Sequence, residues 1–464
     1  MHLTDQFARL FKRLLPSPFA IAVILSVVTY LLALLFTDTG GKNVTEEQDP
    51  YWIELLFFWK DGLWNGGLMI FAMQMMLILV LGHTLALSKP VSKFIDRFLG
   101  ACNTTAKAAS IVAFFTILVG LFNWGLALIF GAVFARKVAE YAQRNQIRIN
   151  YPVVGAAGYT GLLVWHGGFS GSSLIKVAEP GHLKSLVSDK LDSAMLAKVP
   201  ESITFQETVF GNMNIVVSLA FLILVPAVLY IIGQNTKPEP LNLKISYKES
   251  EQEIIEGAEQ IDHSKWSGIL FGAIVLLTAI LILFNLDNPF NFFTPNNINL
   301  LLLGLALVMH QSFHNFTKAV GDAISGAAGI LIQFPLYFGI MGIMKDSGMV
   351  ADISQFIANN AGPESYPFFT FISAGLVNVF VPSGGGQWAI QGPIIIQAAL
   401  DLDITFTKGI MAMAYGDQLT NMLQPFWALP LLGITGLKAK QILPFTLILM
   451  VVGFVICSAA IFIF

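Results

Sequence analysis

The chain reads as an all-α integral membrane protein, with about nine transmembrane helices plus two re-entrant hairpins in two inverted-topology repeats. Three observations carry this expectation. The 464 residues are 55% hydrophobic and 12% charged, with a mean hydropathy of +0.70, far too apolar for a soluble globular domain. Apolar runs of membrane-spanning length recur along the whole chain. Two further apolar stretches, 104–140 and 364–400, are too long for one crossing and are broken in the middle by polar, Gly-rich residues.

Runs of roughly 18 to 25 apolar residues place spans near 18–36, 67–87, 152–178, 210–232, 266–285, 298–312, 324–345, 408–434 and 441–464. The first is expected to be an uncleaved span, because it is long enough to cross and no small-x-small cleavage pattern follows it. The stretch 104–140 is interrupted at FNWG (Phe122 to Gly125) and 364–400 at VPSGGGQW (Val381 to Trp388), so each is expected to be a hairpin with its tip inside the protein.

Loop charge sets the expected orientation, since short cytoplasmic loops are rich in Lys and Arg. Arg9, Lys12 and Arg13 precede the first span, and Lys89, Lys93, Arg97 and Lys107 follow the second. Arg136, Lys137, Arg144 and Arg148 follow the first hairpin, and Lys438 and Lys440 precede the last span. All fall on one side, opposite the acidic loop at Glu46, Glu47 and Asp49 and the mixed-charge loop from Glu179 to Glu201. The N-terminus is therefore expected in the cytoplasm. The polar stretch Gly233 to Lys265, with Pro238, Pro240 and a run of Glu, is expected to link the halves.

An internal repeat supports that division. Gln74, Asn123 and Tyr159 (in AGYTG) in the first half match Gln333, Asn378 and Tyr415 (in MAYGD) in the second, with separations of 49 and 36 residues against 45 and 37. Loop charges make the span 67–87 run inward and its partner 324–345 outward. The expected division is 1–232 as the first inverted repeat with hairpin 104–140, 233–297 as cytoplasmic linker and connecting span, and 298–464 as the second repeat with hairpin 364–400. In transporters built this way the site lies at the repeat interface near the midplane, where broken helices meet.

Four broken elements would converge there. They are the tip Asn123, Trp124, Gly125; the piece Trp165, His166, Gly167, Gly168, Phe169, Ser170, Gly171, Ser172, Ser173; the tip Pro382, Ser383, Gly384, Gly385, Gly386, Gln387; and Asp417, Gln418, Thr420, Asn421 before Pro425. In lipid, non-helical backbone is tolerated only where protein or a cavity surrounds it, so each break marks a candidate binding site. Helix N-termini at breaks hold a carboxylate without any Arg or Lys, and unwound carbonyls hold Na⁺. None of the four breaks contains Arg or Lys, which favours a singly charged anion over a dianion or phosphate.

The candidate substrate residues are Asn123, Trp124, Gly168, Ser170, Ser172, Ser383, Gly384, Gly385, Gly386, Gln387, Trp388, Gln418 and Asn421. Trp124, Phe169, Phe380 and Trp388 would line an apolar compartment for a short tail. Asn123, Asn378, Asp417 and Thr420 are the candidates for ion coupling. Asp417 is the acidic residue expected deep in a span, where such groups are costly and usually functional. Glycines of membrane helices also serve close packing, and His166 is read first as a hydrogen-bonded structural histidine. His310 and His314 have i, i+4 spacing but no third ligand, so no metal beyond Na⁺ as a coupling ion is expected, and no cofactor.

At these residues the sequence resembles the short-chain fatty acid transporter family, a bacterial group associated with acetoacetate and butyrate uptake. The resemblance covers nearly the full length through DGLWNGGLMIFAMQMMLILVLGH, FNWGLALIFGAVFAR, WHGGFSGS, FVPSGGGQWAIQGP and MAYGDQLTNMLQPFWALP. It implies a multi-pass protein of the bacterial inner membrane, within a superfamily of ion-coupled carriers with paired hairpins and elevator-type movement. The tips here, FNWG and PSGGGQ, depart from the Ser-Asn-Thr type of the superfamily's dicarboxylate members, so their substrate and sodium sites are not carried over.

The expected function is ion-coupled secondary transport of a short-chain monocarboxylate, driven by Na⁺ or H⁺, in contact with the lipid bilayer. A dicarboxylate or other organic-anion carrier is the alternative and would need more positive potential at the site. A membrane-embedded enzyme is the distant one, since Ser170, Ser172 and His166 lie close in sequence with no assignable acid partner. A net charge of −3 without a Lys/Arg-rich tract argues against nucleic acid, and the two cysteines, Cys102 and Cys457, give neither a disulfide framework nor metal spacing. A homodimer is compatible with the sequence, which leaves oligomeric state open.

Overall fold

The computed structural model describes residues 16–37, 50–188, 191–238, 241, 243, 257–286, 289–292 and 294–464. Arg9, Lys12, Arg13, Glu46, Glu47, Asp49, Pro240 and the glutamates 249–256 lie outside the described residues. Among those described, the regular elements are helices. Seven are long and apolar enough to cross a membrane, including Pro18–Phe36, Thr105–Phe122, Asn212–Gln234 and Ala439–Ile463. The helix Lys265–Phe284 turns Leu270, Ile274, Leu277 and Leu281 outward along one face, each more than half exposed. Such an apolar stripe suits lipid and would be a liability in water. The chain is a multi-pass membrane protein.

Local chemistry sets the helix starts. Ser17 caps Pro18–Phe36 by accepting from Ala20 N at 3.3 Å, with Pro18 at the first helical position. Thr104, Asn123, Ser312 and Ser383 act likewise at later starts. Helix Tyr51–Leu63, too short to count as a span, packs on Ala328–Asp346. The two backbones close in at a glycine pair, where a Cβ on Gly62 would sit 2.8 Å from Gly342 Cα.

The stretch 104–140 is divided by a single non-helical residue, Asn123, into Thr105–Phe122 and Trp124–Arg144, which pack on each other. The second is divided at Val381–Ser383 into Tyr366–Phe380 and Gly384–Asp401. Here one expectation is corrected: the three glycines are not unwound but form the first turn of Gly384–Asp401. Each costs about 1 kcal/mol against Ala in a helix, which the Ser383 cap and the packing of the following turns offset.

The segment 152–178 is broken at Trp165–Ser173 as expected, and it differs from expectation in a further break before it, so that it is a chain of short pieces, Tyr151–Ala157, Thr160–Leu163, Trp165–Gly167 and Ser172–Ala178. Glycines let neighbouring backbone press in where the pieces join: a Cβ on Gly161 would lie 3.1 Å from Thr116 O, and one on Gly168 would collide with Leu121 O. The segment 408–434 is broken too, into Phe406–Thr420, a turn at Asn421–Leu423, and Pro425–Thr435. Helix, break, helix, broken segment and long final helix therefore occur in that order twice, ending in Asn212–Gln234 and in Ala439–Ile463.

Candidate functional site

The helix breaks at Asn123 and at Val381–Ser383 meet the same broken segment, Trp165–Ser173. At the first, Asn123 caps the second arm by accepting from Leu126 N at 2.9 Å, and the next amide, Trp124 N, donates to Ser170 Oγ at 3.0 Å. Phe169 N donates to Leu121 O at 2.8 Å, fastening the segment to the first arm. The Trp124 ring stands edge-on to Trp165 and Trp427, with centroids 6.1 and 5.1 Å away. At the second break Ser383 takes the capping role, accepting from Gly386 N at 3.2 Å. Gly384 lies so close to the broken segment that a Cβ on it would be 2.9 Å from both His166 Cε1 and Trp165 Cη2 and 3.1 Å from Asp417 Oδ2. Gly385 is exposed and Ser172 half-buried, so the protein surface comes nearest to the site at this junction.

The segments Trp165–Ser173 and Asp417–Gln424 cross at the centre. Gln418 Oε1 accepts from His166 N and Gly167 N, each at 3.1 Å. His166 Nδ1 pairs with Asp417 Oδ2, both side chains being buried. On the far side of the imidazole, Nε2 accepts from Ser173 N at 3.1 Å and meets Ser173 Oγ at 2.8 Å. The acid partner that the sequence could not assign to His166 is therefore Asp417, which lies 251 residues away.

Below this, Asn378 Nδ2 reaches Asp417 O at 2.6 Å, Asn421 Oδ1 at 2.8 Å and Thr420 Oγ1 at 3.0 Å. Gln424 donates to Asn378 O. Asn378 is thus inside its helix, supporting the break at 417–421 of its own half, while the tip role of Asn123 belongs in the second half to Ser383. Two tyrosines tie the halves together: Tyr159 OH donates to Asn421 O at 2.9 Å, and Tyr415 OH to Asn214 Oδ1 at 3.1 Å. Asn214 in turn donates to Gly167 O at 2.7 Å.

Two candidates make their hydrogen bonds outside this crossing. Gln387 donates to Ala374 O at 2.9 Å and to Gln391 Oε1 at 2.7 Å, within the second hairpin. Trp388 donates its indole N–H to His182. Asn214, Gln424 and His182 were not singled out from the sequence, and Ser173 was named there only as the end of the second broken piece. Asn214 and Gln424 had one usable signal, a polar amide at the start of an apolar helix; His182 had none. Among the described residues, no group of three or more His, Cys, Asp or Glu is arranged to hold a metal ion. No Lys or Arg takes part in the hydrogen bonds around the crossing, and its oxygens are left to amides, hydroxyls and Asp417.

A family model described as "Short chain fatty acid transporter" matches residues 1–464. A relative from Escherichia coli strain K12, bearing the name "Putative short-chain fatty acid transporter", is 34% identical over 441 residues, which cover 94% of this chain and 93% of its own length. One of the same name from Haemophilus influenzae is 34% identical over 444 residues, with 94% and 93% covered. Among solved structures, the YdaH transporter of Alcanivorax borkumensis aligns over 97% of this chain and 98% of its own at 15% identity, with a TM-score of 0.43.

Proposed function

The chain belongs to the short-chain fatty acid transporter family, so it is a membrane transporter and not an enzyme; from that premise we propose that it carries short-chain monocarboxylates such as butyrate or acetoacetate by ion-coupled secondary transport. One observation supports this substrate class above the others: the N-terminus of helix Gly384–Asp401 opens beside Ser172 and the Trp165 indole, with no cation in the surrounding network. First-turn N–H groups have no partner within the helix, and they stabilise one negative charge by about 0.3–1 kcal/mol, up to about 2 where partly buried. That suits a single carboxylate. A dicarboxylate would bring a second charge with nothing to meet it. Trp165 Nε1, buried and without an acceptor, is a spare donor on the same indole.

The crossing is where we propose that the coupling ion binds. Asn378 Oδ1 and Gln424 Oε1 are buried and accept no hydrogen bond. With the Asp417 carboxylate and Thr420 Oγ1 they are the oxygens that would hold Na⁺, the negative charge of Asp417 offsetting that of the ion. A second reading, proton coupling, is favoured by one observation, the contact of Asp417 with His166. The movement we propose is of elevator type and carries the crossed segments of both halves, 1–232 and 298–464, together, since the site is built from both.

Uptake into proteoliposomes of labelled C2 to C6 acids, with Na⁺ and pH gradients imposed separately, tests the reading. Butyrate or acetoacetate should compete for uptake far better than succinate, with each buried methylene adding up to about 0.8 kcal/mol until the compartment is full. Highest affinity for a dicarboxylate would overturn it. Accumulation under the Na⁺ gradient alone supports Na⁺ as the driver, and under the pH gradient alone H⁺.

A further inference from the structure

His182 lies four residues beyond helix Ser172–Ala178, just after Gly181, whose φ of +78° turns the chain back. Trp388 belongs to the other half of the protein, one turn past the Gly384–Gly386 opening, and is 2% exposed. Trp388 Nε1 lies 3.0 Å from His182 Nε2, and the two rings are 6.5 Å apart at 34°. An indole N–H only donates. His182 Nε2 must therefore offer a lone pair, so the imidazole is neutral with its proton on Nδ1. We propose that His182 is a positioning residue for Trp388, holding the indole against the substrate compartment as a neutral acceptor and releasing it when protonated. The proposal rests on the reading above that Trp388 lines that compartment.

The charges around His182 are compatible with this state. Lys176 and Glu179, on and just after helix Ser172–Ala178, pair with each other at 3.0 Å. Lys184, on the same short turn as His182, pairs with Glu201 at 2.6 Å. Helix Gly384–Asp401 carries its single charged residue, Asp401, at its far end. Partial burial, and next the Lys176 ammonium, hold the imidazole below its ordinary value of 6.5, against a weaker opposing effect of Glu179. A depressed pKa means that the neutral acceptor dominates at pH 7 and that the bond is lost as pH falls through a midpoint below 6.5. A cationic imidazole has N–H on both nitrogens and cannot accept at all.

The test uses the full-length protein labelled with 5-fluorotryptophan, the Trp388 resonance being assigned through Trp388→Phe. In the parent protein this resonance should shift on acidification with a midpoint below 6.5, while in His182→Gln, whose amide can accept at any pH, the shift should be absent. The half-saturation concentration for butyrate uptake should rise roughly two- to tenfold across the same range in the parent, the span of one net hydrogen bond, and much less in His182→Gln. A Trp388 resonance that titrates identically in His182→Gln overturns the contact. A resonance that behaves as expected beside identical pH profiles of uptake overturns the positioning role. Should no short-chain acid be transported, the substrate reading fails, and with it the compartment that Trp388 lines, while the resonance still decides the contact itself.

Discussion

Ser173 fixes His166 in the tautomer that faces Asp417 with an N–H. The backbone N–H of Ser173 can only donate, so His166 Nε2, which accepts it at 3.1 Å, carries no proton. In the neutral ring the proton is then on Nδ1, aimed at Asp417 Oδ2. The relationship resembles the Ser-His-Asp arrangement of hydrolases in connectivity, yet all three side chains are buried and the chain belongs to a family of transporters. Here the same connectivity keeps a buried carboxylate tied to the opposite broken segment.

Replacing Asp417 by Asn is expected to separate coupling from binding. In reconstituted vesicles Asp417→Asn should lose gradient-driven accumulation of butyrate while retaining substrate exchange. Accumulation at the parent level under both Na⁺ and pH gradients would show that the carboxylate only holds the two segments together.

The neighbouring glycines of the second break should differ sharply. In Gly384→Ala the new methyl group meets His166, Trp165 and Asp417 at 2.9 to 3.1 Å, an overpacking that costs about 1–3 kcal/mol and should reduce uptake at least tenfold. In Gly385→Ala the nearest atom is Ser172 Cβ at 3.9 Å. Helix propensity then gains up to about 1 kcal/mol, and thermal stability should be unchanged or higher. Equal losses in the two variants would contradict the packing described at Gly384.

Asn123 and Ser383 should be energetically equivalent, since each accepts one first-turn amide at a hairpin break. Asn123→Ala and Ser383→Ala are each expected to lower stability by about 1 kcal/mol, read as the change in denaturation midpoint in detergent. Asn378, with three acceptors around one amide nitrogen, should cost more when changed to Ala. An Asn378→Ala loss smaller than that of either cap would rule out the supporting role assigned to it.

Tyr159→Phe removes the donor shared by Asn421 O and Gln424 O and leaves buried carbonyls short of a partner. Such a loss costs about 1–3 kcal/mol. Because Tyr159 belongs to one half and those carbonyls to the other, the deficit should accompany a change in uptake rate. A variant with parent stability would show that the carbonyls are satisfied without it.

Helix positions were legible because hydropathy is a local quantity. Pro18–Phe36 coincides with its apolar run, and Lys265–Phe284 and Ala439–Ile463 differ from theirs by a residue or two. The short helices Tyr51–Leu63, Lys89–Leu99 and Met349–Asn360 escaped, because an apolar run too short to span carries no length signal. At the site, the breaks at Asn123 and Ser383 were visible as polar residues within apolar stretches. The helical state of Gly384–Gly386 was not, since intrinsic propensity opposes it and only the Ser383 cap with neighbouring contacts decides it.

The sequence by itself determined that this protein lives in a membrane, where its helices break, and which polar residues stand at the breaks, all set by residues within a turn or two of each other. Which of those residues meet was decided only in the tertiary structure. Asp417 finds His166 across 251 residues, Tyr159 finds Asn421 across 262 and Trp388 finds His182 across 206. These pairings depend on two helix-breaking segments crossing at one depth, where buried polar groups must find partners because lipid and packed side chains supply none. No local pattern encodes that choice.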